Sequence, residues 1–328
     1  MSYHARVTVR RPYRLDLTVD ALRRVRANLV DVMTPDGRYM RALGANETRV
    51  NVVEVQQLDA RTLDVHISGQ RARQHLETVS RMLGVKVDLH SWYRSAKLVP
   101  WIDALAKEFR GLKPPRYPEL WEALCHGIVF QQLSIQAGAA VMARFVERFS
   151  KPVAHGGVSL YPFPCPHAIM DATLRQVQSV GLSRMKASYI RNAAQIVVAG
   201  NLSARHIERL STNDAKSALC ELRGIGPWSA ALVLLRGLGR LDAFPLGDAG
   251  AVRGLKRFSV SGPAQISKVL SELGDTRGML YFHLLLARRM TAGAPHIMVC
   301  RSASARGESG GPRATDRHGR RRRALSPG

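Results

Sequence analysis

The stretch Leu222-Arg223-Gly224-Ile225-Gly226-Pro227-Trp228-Ser229-Ala230-Ala231 constrains this chain more than any other. Two glycines one residue apart, set between helical patterns, permit a tight hairpin, because each tolerates positive φ and lets another backbone come close. Pro227 suits the first turn of the next helix. The amides of Gly224, Gly226 and that helix start then point outward with the positive end of the helix dipole, which makes an anion site. Asp248 follows 22 residues after Gly226, in the turn Pro245-Leu246-Gly247-Asp248. The pair reads as a phosphate grip beside a carboxylate. A dinucleotide fingerprint fails here: a helical stretch rather than a strand precedes the glycines, and Ser229 stands where the third glycine belongs.

The charge balance points to the kind of phosphate. Lys and Arg total 49 against 25 acidic residues, a formal charge of +24, and such an excess is the electrostatic signature of polyanion binding. The last 28 residues carry eight Arg against Glu308 and Asp316, which leaves +18 for residues 1–300. Basicity therefore belongs to the folded part as well as to the tail. Cys125, Cys165, Cys220 and Cys300 are too widely spaced for a zinc ribbon or an iron–sulfur cluster, and the 11 histidines show no His-Glu-x-x-His spacing, so no metal or cofactor is expected. No apolar run reaches the length of a membrane span and the start lacks a signal-peptide core, so a cytoplasmic protein is expected.

The organisation predicted is α+β and mostly helical. Residues 1–95 alternate in a strand-like way at Val7 and Val9, at Val50, Val52 and Val55, and at Leu63, Val65 and Ile67, with helical patterns at about 19–32 and 71–83. That is a small N-terminal β-α-β-β-α domain. Residues 96–292 turn to helical periodicity, including 120–129, 135–149, 174–180, 185–198, 207–210 and 215–222, punctuated by Pro114-Pro115, Gly156-Gly157, Pro162 to Pro166 and Gly200. A two-lobed all-helical body containing the hairpin is expected there. Residues 293–328 are rich in Ser, Gly and Arg and end in Arg320 to Arg323, a composition that predicts a basic, disordered tail.

With its Gly/Pro-rich loop and aspartate, the hairpin resembles the helix-hairpin-helix (HhH-GPD) DNA glycosylase superfamily. Over residues 4–290, including Arg11-Pro12-Tyr13 and Phe130-Gln131-Gln132-Leu133-Ser134, the chain resembles its 3-methyladenine DNA glycosylase II branch. The resemblance implies an enzyme that extrudes a nucleotide from the duplex and hydrolyses its N-glycosidic bond in base excision repair. Its partner would be double-stranded DNA containing alkylated bases, bound by a monomer near the nucleoid.

Such chemistry needs a negative charge near the deoxyribose C1′, where positive charge develops as the base departs. Asp248 fits, as stabiliser of the sugar cation and as orienter or base for the attacking water. It also reads as a helix N-cap before residues 249–258, and the two roles are compatible. Members of the superfamily that also cut the backbone carry a lysine nucleophile on the second hairpin helix. Trp228 stands there, which implies hydrolysis without a lyase step, and an indole face stacks on a flipped base and attracts a cationic one. Packing of Trp228 in the core is the competing reading.

Gly224, Ile225, Gly226 and Ser229 are the expected phosphate contacts. Gln132 and Leu133 match the family's wedge loop, whose side chain fills the gap left by an extruded nucleotide, although Leu133 also reads as a core residue of the next helix. Lys186, Arg184 and Arg277 resemble DNA-facing positions. One departure stands out: where the branch lines its pocket with aromatics, this chain has Ala21, Leu232, Ala249 and Leu285. A catalytically silent DNA-binding protein is the second functional reading, and Asp248 argues against it. A glycosylase for oxidised or deaminated bases is the third; the absent lysine and cysteine cluster argue against that.

Overall fold

The computed structural model describes residues 2–25, 28–44, 50–70 and 72–290. All of them fall within one compact unit, Met1–Gly293. The basic tail expected at 293–328 lies outside the described residues.

Five strands, β1 (Ser2–Thr8), β2 (Asp31–Met33), β3 (Tyr39–Gly44), β4 (Val50–Gln57) and β5 (Thr62–Ser68), form one antiparallel sheet in the order β1-β5-β4-β3-β2. β5 alternates buried and half-buried residues because one face of it meets the core. Val65 sits opposite Ala5 on one side and Val55 on the other. The expected β4–β5 hairpin is present, whereas β2 and β3 were not anticipated. β3 does not alternate, since Tyr39 to Leu43 are buried on both faces: Met40 and Ala42 pack with Val52 and Leu160, while Tyr39 and Leu43 join the main core. Residues 153–160, read as a break between helices, form a hairpin of β6 (Val153–His155) and β7 (Val158–Leu160) around Gly156 and Gly157.

The first helix, Leu15–Arg23, is shorter than the 19–32 pattern suggested. It ends because Arg24 adopts φ 61°, a conformation that stops α-helical hydrogen bonding and that a side chain bearing Cβ rarely takes. Arg236, on the helix Pro227–Gly237, donates to the carbonyls of Ala21 (3.1 Å) and Leu22 (2.8 Å) and so supplies acceptors at that helix end with a cationic partner. Arg41 in β3 makes the other main tie between sheet and helices. Its guanidinium, 1% exposed, binds Asp31 at 2.7 Å and Glu122, on the helix Leu120–Val129, at 2.5 Å. A buried guanidinium at the centre of a strand explains why the sequence pattern there gave no strand signal.

The helical body is built on Leu120–Val129 and Pro227–Gly237. Every residue of the first is buried, as is Ser229 to Arg236 of the second. Gly127 lets them approach: a Cβ there would sit 3.4 Å from Val233 and 3.6 Å from Ser229. Short helices His90–Ala96 and Pro100–Glu108 join the sheet to this body, and Trp92 of the first packs at a tilt against His283 of the last helix, Arg277–Met290, with ring centroids 4.7 Å apart.

Candidate active site

The hairpin consists of helix Thr212–Cys220, a turn through Gly226, and helix Pro227–Gly237. Gly224 takes φ +88°, and a Cβ there would lie 2.2 Å from the Tyr189 ring, so the turn closes against that tyrosine only with glycine. Gly226 corrects the expectation of two left-handed glycines: it has φ −95° and ψ −179°, extended backbone with open space around it. It is the N-cap of the second helix, with Pro227 in the first turn and no side-chain cap bond, so the first-turn N–H groups have no side-chain acceptor. Ile225 is 4% exposed and Ser229 1%, and the Ser229 hydroxyl donates to the Gly127 carbonyl at 2.9 Å. What these two positions offer a ligand is backbone.

The turn before Asp248 has the chemistry its shape requires. Asp248 N–H bonds the Pro245 carbonyl at 3.1 Å, and Gly247 supplies φ +82° at the third position. Asp248 then caps the helix Ala249–Arg257: Oδ1 accepts from Gly250 N and Ala251 N, both at 2.9 Å. Both bonds fall on one oxygen. The capping role therefore fixes the carboxylate and leaves Oδ2 for a ligand.

Asp248 and Trp228 line one cavity of about 580 Å³, together with Gly226, Ser229 and the loop Phe130 to Ile135. That loop joins the helices Leu120–Val129 and Ile135–Phe149. At its tip Gln132 is exposed with φ 55°, while Leu133 is half-buried and packed against the core. Gln131 anchors the loop, donating its amide to the Gly224 carbonyl (2.7 Å) and to Ser229 Oγ (2.9 Å). Lys186 anchors it from the other side: Nζ donates to the carbonyls of Val129 (3.0 Å) and Gln131 (2.6 Å), and its partial burial lowers its pKa. The structure thus gives Lys186 a positioning contact with the loop. Arg184 starts the same helix, Arg184–Val198, and is exposed. Arg277 is half-buried at the start of the last helix, where Nε donates to Gly274, and it does not line this cavity.

Three of the four positions matched to pocket aromatics lie in the core, Ala21 at 0%, Leu232 at 1% and Leu285 at 6% exposure, the last also lining a small void beside the cavity; Ala249 lines the cavity itself. The aromatic lining comes instead from Phe130, Trp228 and Tyr281, the last one helical turn before Leu285. Arg24 and Arg253 also line the cavity, and the sequence pattern flagged neither. Arg24 is 3% exposed, its Cζ lies 4.5 Å from the Phe130 ring centroid, and its Nε and Nη2 have no hydrogen-bond partner. Among the described residues, no group of three or more His, Cys, Asp or Glu side chains is placed to hold a metal, and no helix is long and apolar enough to cross a membrane.

This arrangement has counterparts in known proteins. Residues 125–275 match the model of the HhH-GPD superfamily of base excision DNA repair proteins. A DNA-3-methyladenine glycosylase of Bacillus subtilis is 32% identical over 169 residues, which is 52% of this chain and 56% of the relative. DNA-3-methyladenine glycosylase 1 of Schizosaccharomyces pombe is 26% identical over 51% of this chain and 66% of its own length. The chain thus spans between about half and two thirds of these curated relatives. In fold it is similar to the 3-methyladenine DNA glycosylase of Archaeoglobus fulgidus, with a TM-score of 0.75 and 23% identity over 88% of this chain and 99% of that one. The hairpin and the capped aspartate both fall within residues 125–275, the segment that matches the HhH-GPD superfamily of base excision DNA repair proteins.

Proposed function

We propose that the protein is a monofunctional DNA glycosylase that hydrolyses the N-glycosidic bond of alkylated purines, chiefly 3-methyladenine, after extruding the nucleotide from the duplex. The observation that carries this reading is the shared cavity of Asp248 and Trp228 at the mouth of the hairpin. An extruded purine stacked on the indole brings its C1′ toward the carboxylate. Oδ1 is held by two amides, so Oδ2 faces the developing oxocarbenium ion with no reorganisation, and it orients the attacking water.

The remaining parts have matching tasks. The open amides of the hairpin take a backbone phosphate, and exposed Gln132 with Leu133 fills the gap in the stack. Trp228 occupies the place where a lysine would form a Schiff base, so the product is an abasic site in an intact strand. The reading places a monomer on duplex DNA containing alkylated bases, at the cytoplasmic nucleoid.

The test incubates methylated duplex DNA with the wild type and with Asp248→Asn and identifies released bases by chromatography, with borohydride added in a parallel arm. The expected result is free 3-methyladenine from the wild type, none from Asp248→Asn, retained DNA binding by both, and no trapped adduct. Binding without release by the wild type would establish the silent DNA-binding reading instead, and a trapped covalent adduct would sink the argument from Trp228.

A further inference from the structure

A second cavity, of about 680 Å³, shares no lining residue with the cavity of Asp248 and Trp228. Trp121 and Glu122 line it near the start of the helix Leu120–Val129, whereas the loop that lines the first cavity, Phe130 to Ile135, follows the end of that helix. Ten residues of α-helix span about 15 Å, so the two cavities lie at opposite ends of one buried helix. The volume is that of a small-molecule site.

Its walls are flat and apolar. Trp121 is buried and its Nε1 already donates to the Pro164 carbonyl at 2.8 Å, so the indole offers the cavity an apolar surface. Phe163 packs against Phe145 and His126, with ring centroids 6.1 and 6.0 Å away, and Pro118, Pro164 and Pro166 extend the same surface. Such preorganised ring walls accept a planar aromatic group at little entropic cost. Two polar side chains among them retain a donor. Arg41 gives its Nη atoms to Asp31 and Glu122, but Nε has no acceptor, and a buried N–H left unmade costs about 1–3 kcal/mol. His75 Nε2 lies 3.2 Å from Asn51 Nδ2, which only donates, so Nε2 accepts and Nδ1 carries the proton. Burial lowers the His75 pKa and favours this neutral form. The exposed lining residues Arg81 and His167 add cationic groups at the rim. Glu122 is paired with Arg41, and Glu119 is exposed to water, which screens it.

From this combination we propose that the cavity is a binding site for a free nucleoside monophosphate, separate from the site that holds DNA. The base lies against the Trp121 and Phe163 walls, its ring acceptors meet Arg41 Nε and His75, and its phosphate meets Arg81 and His167 at the rim. Other ligand classes satisfy only part of the lining. An aliphatic chain leaves the Arg41 and His75 donors unmet, an inorganic anion leaves the aromatic and proline walls unused, and an organic cation meets Arg41 and Arg81.

The decisive measurement is isothermal titration calorimetry of the full-length protein with adenosine 5′-monophosphate, ribose 5-phosphate and inorganic phosphate, each with and without saturating duplex containing an abasic site. Saturable one-to-one binding of adenosine 5′-monophosphate is expected, unchanged by the duplex. Ribose 5-phosphate, which lacks the base, is expected to bind about tenfold or more weakly. Phe163→Ala removes one wall and is expected to weaken the nucleotide by a similar factor. Arg81→Glu reverses an exposed charge without touching the core and is expected to weaken it about threefold or more. It decides the matter if Phe163→Ala fails to fold, as judged by thermal melting. Four outcomes overturn the proposal: no saturable binding of the nucleotide, equal binding of ribose 5-phosphate or inorganic phosphate, displacement of the nucleotide by the duplex, or affinity unaltered in the folded variants.

Discussion

Gln131 donates its side-chain amide to the carbonyl of Gly224 at 2.7 Å, so the loop expected to enter the duplex is tied directly to the turn expected to hold its backbone. The second amide bond, to Ser229 Oγ, runs to the first turn of the hairpin's second helix. The loop and the hairpin turn are therefore hydrogen-bonded into one unit. Gln131→Leu keeps the size of the side chain and removes both bonds, which should cost about 1–2 kcal/mol of stability. Affinity for a duplex containing an abasic site should fall severalfold, because loop and hairpin are no longer held in register. Chemical denaturation and fluorescence anisotropy measure the two effects, and unchanged affinity would show that the tie has no part in binding.

The two hairpin glycines should separate in their consequences. Gly224→Ala forces a methyl group into the Tyr189 ring at a φ of +88°, and strain and overpacking together should cost about 3 kcal/mol. Gly226→Ala meets open space at φ −95° and should leave stability within about 0.5 kcal/mol. Its methyl group lies beside the open amides, so weaker binding to undamaged duplex is expected. Melting curves and anisotropy on the same pair of variants test both halves; equal stability would mean that the turn relaxes away from Tyr189.

The sequence made some of this legible and concealed the rest for identifiable reasons. The helices Leu120–Val129 and Ile135–Phe149 were readable to the residue, because each is bounded by a break in the apolar pattern and the second by the Ser134 cap, which accepts from Ala137 N. β4 and β5 were readable through alternation. β3 was hidden, since burial on both faces and an ion-paired Arg41 erase the period-two signal. Arg24 was hidden too: it falls inside the helical pattern at about 19–32, and nothing in that pattern signals the backbone reversal at φ 61° or the burial to 3% exposure. Tyr281 was missed by one turn of a helix whose inward face is apolar for several turns, where Leu285 fits the same stripe.

Asp248 caps a helix and is proposed to carry the chemistry, and substitution can divide the two tasks. Asn is as good an N-cap as Asp, so Asp248→Asn should keep the bonds to Gly250 and Ala251 and remain within about 0.5 kcal/mol of the wild type. It removes the charge, and base release should fall by about 100-fold or more. Asp248→Ala should lose activity similarly and a further ~1 kcal/mol of stability with the cap. Base-release assays beside urea denaturation distinguish the outcomes. An active Asp248→Asn variant would move the catalytic role elsewhere.

Acid sensitivity should trace to a buried histidine that does not line the cavity. His283 is 1% exposed, packs at a tilt against Trp92 with ring centroids 4.7 Å apart and lies 6.0 Å from the Phe109 ring, and burial pushes its pKa down to about 4. Its Nδ1 lies 2.8 Å from the Met279 carbonyl, a contact too weak to offset the lost hydration. The folded state thus resists a proton that the unfolded chain accepts near pH 6.5. The stability this neutral histidine contributes is complete above about pH 6.5 and is lost as pH falls toward 4, amounting to about 2 kcal/mol between pH 7 and pH 5. His126, buried and facing the Arg24 and Arg236 cations, shifts the same way and steepens the slope. His283→Phe keeps an aromatic ring against Trp92 and cannot titrate. Denaturation midpoints at pH 7 and pH 5 should therefore differ less for this variant than for the wild type, by about 2 kcal/mol when converted to free energy, and an identical pH response would assign the sensitivity to other groups.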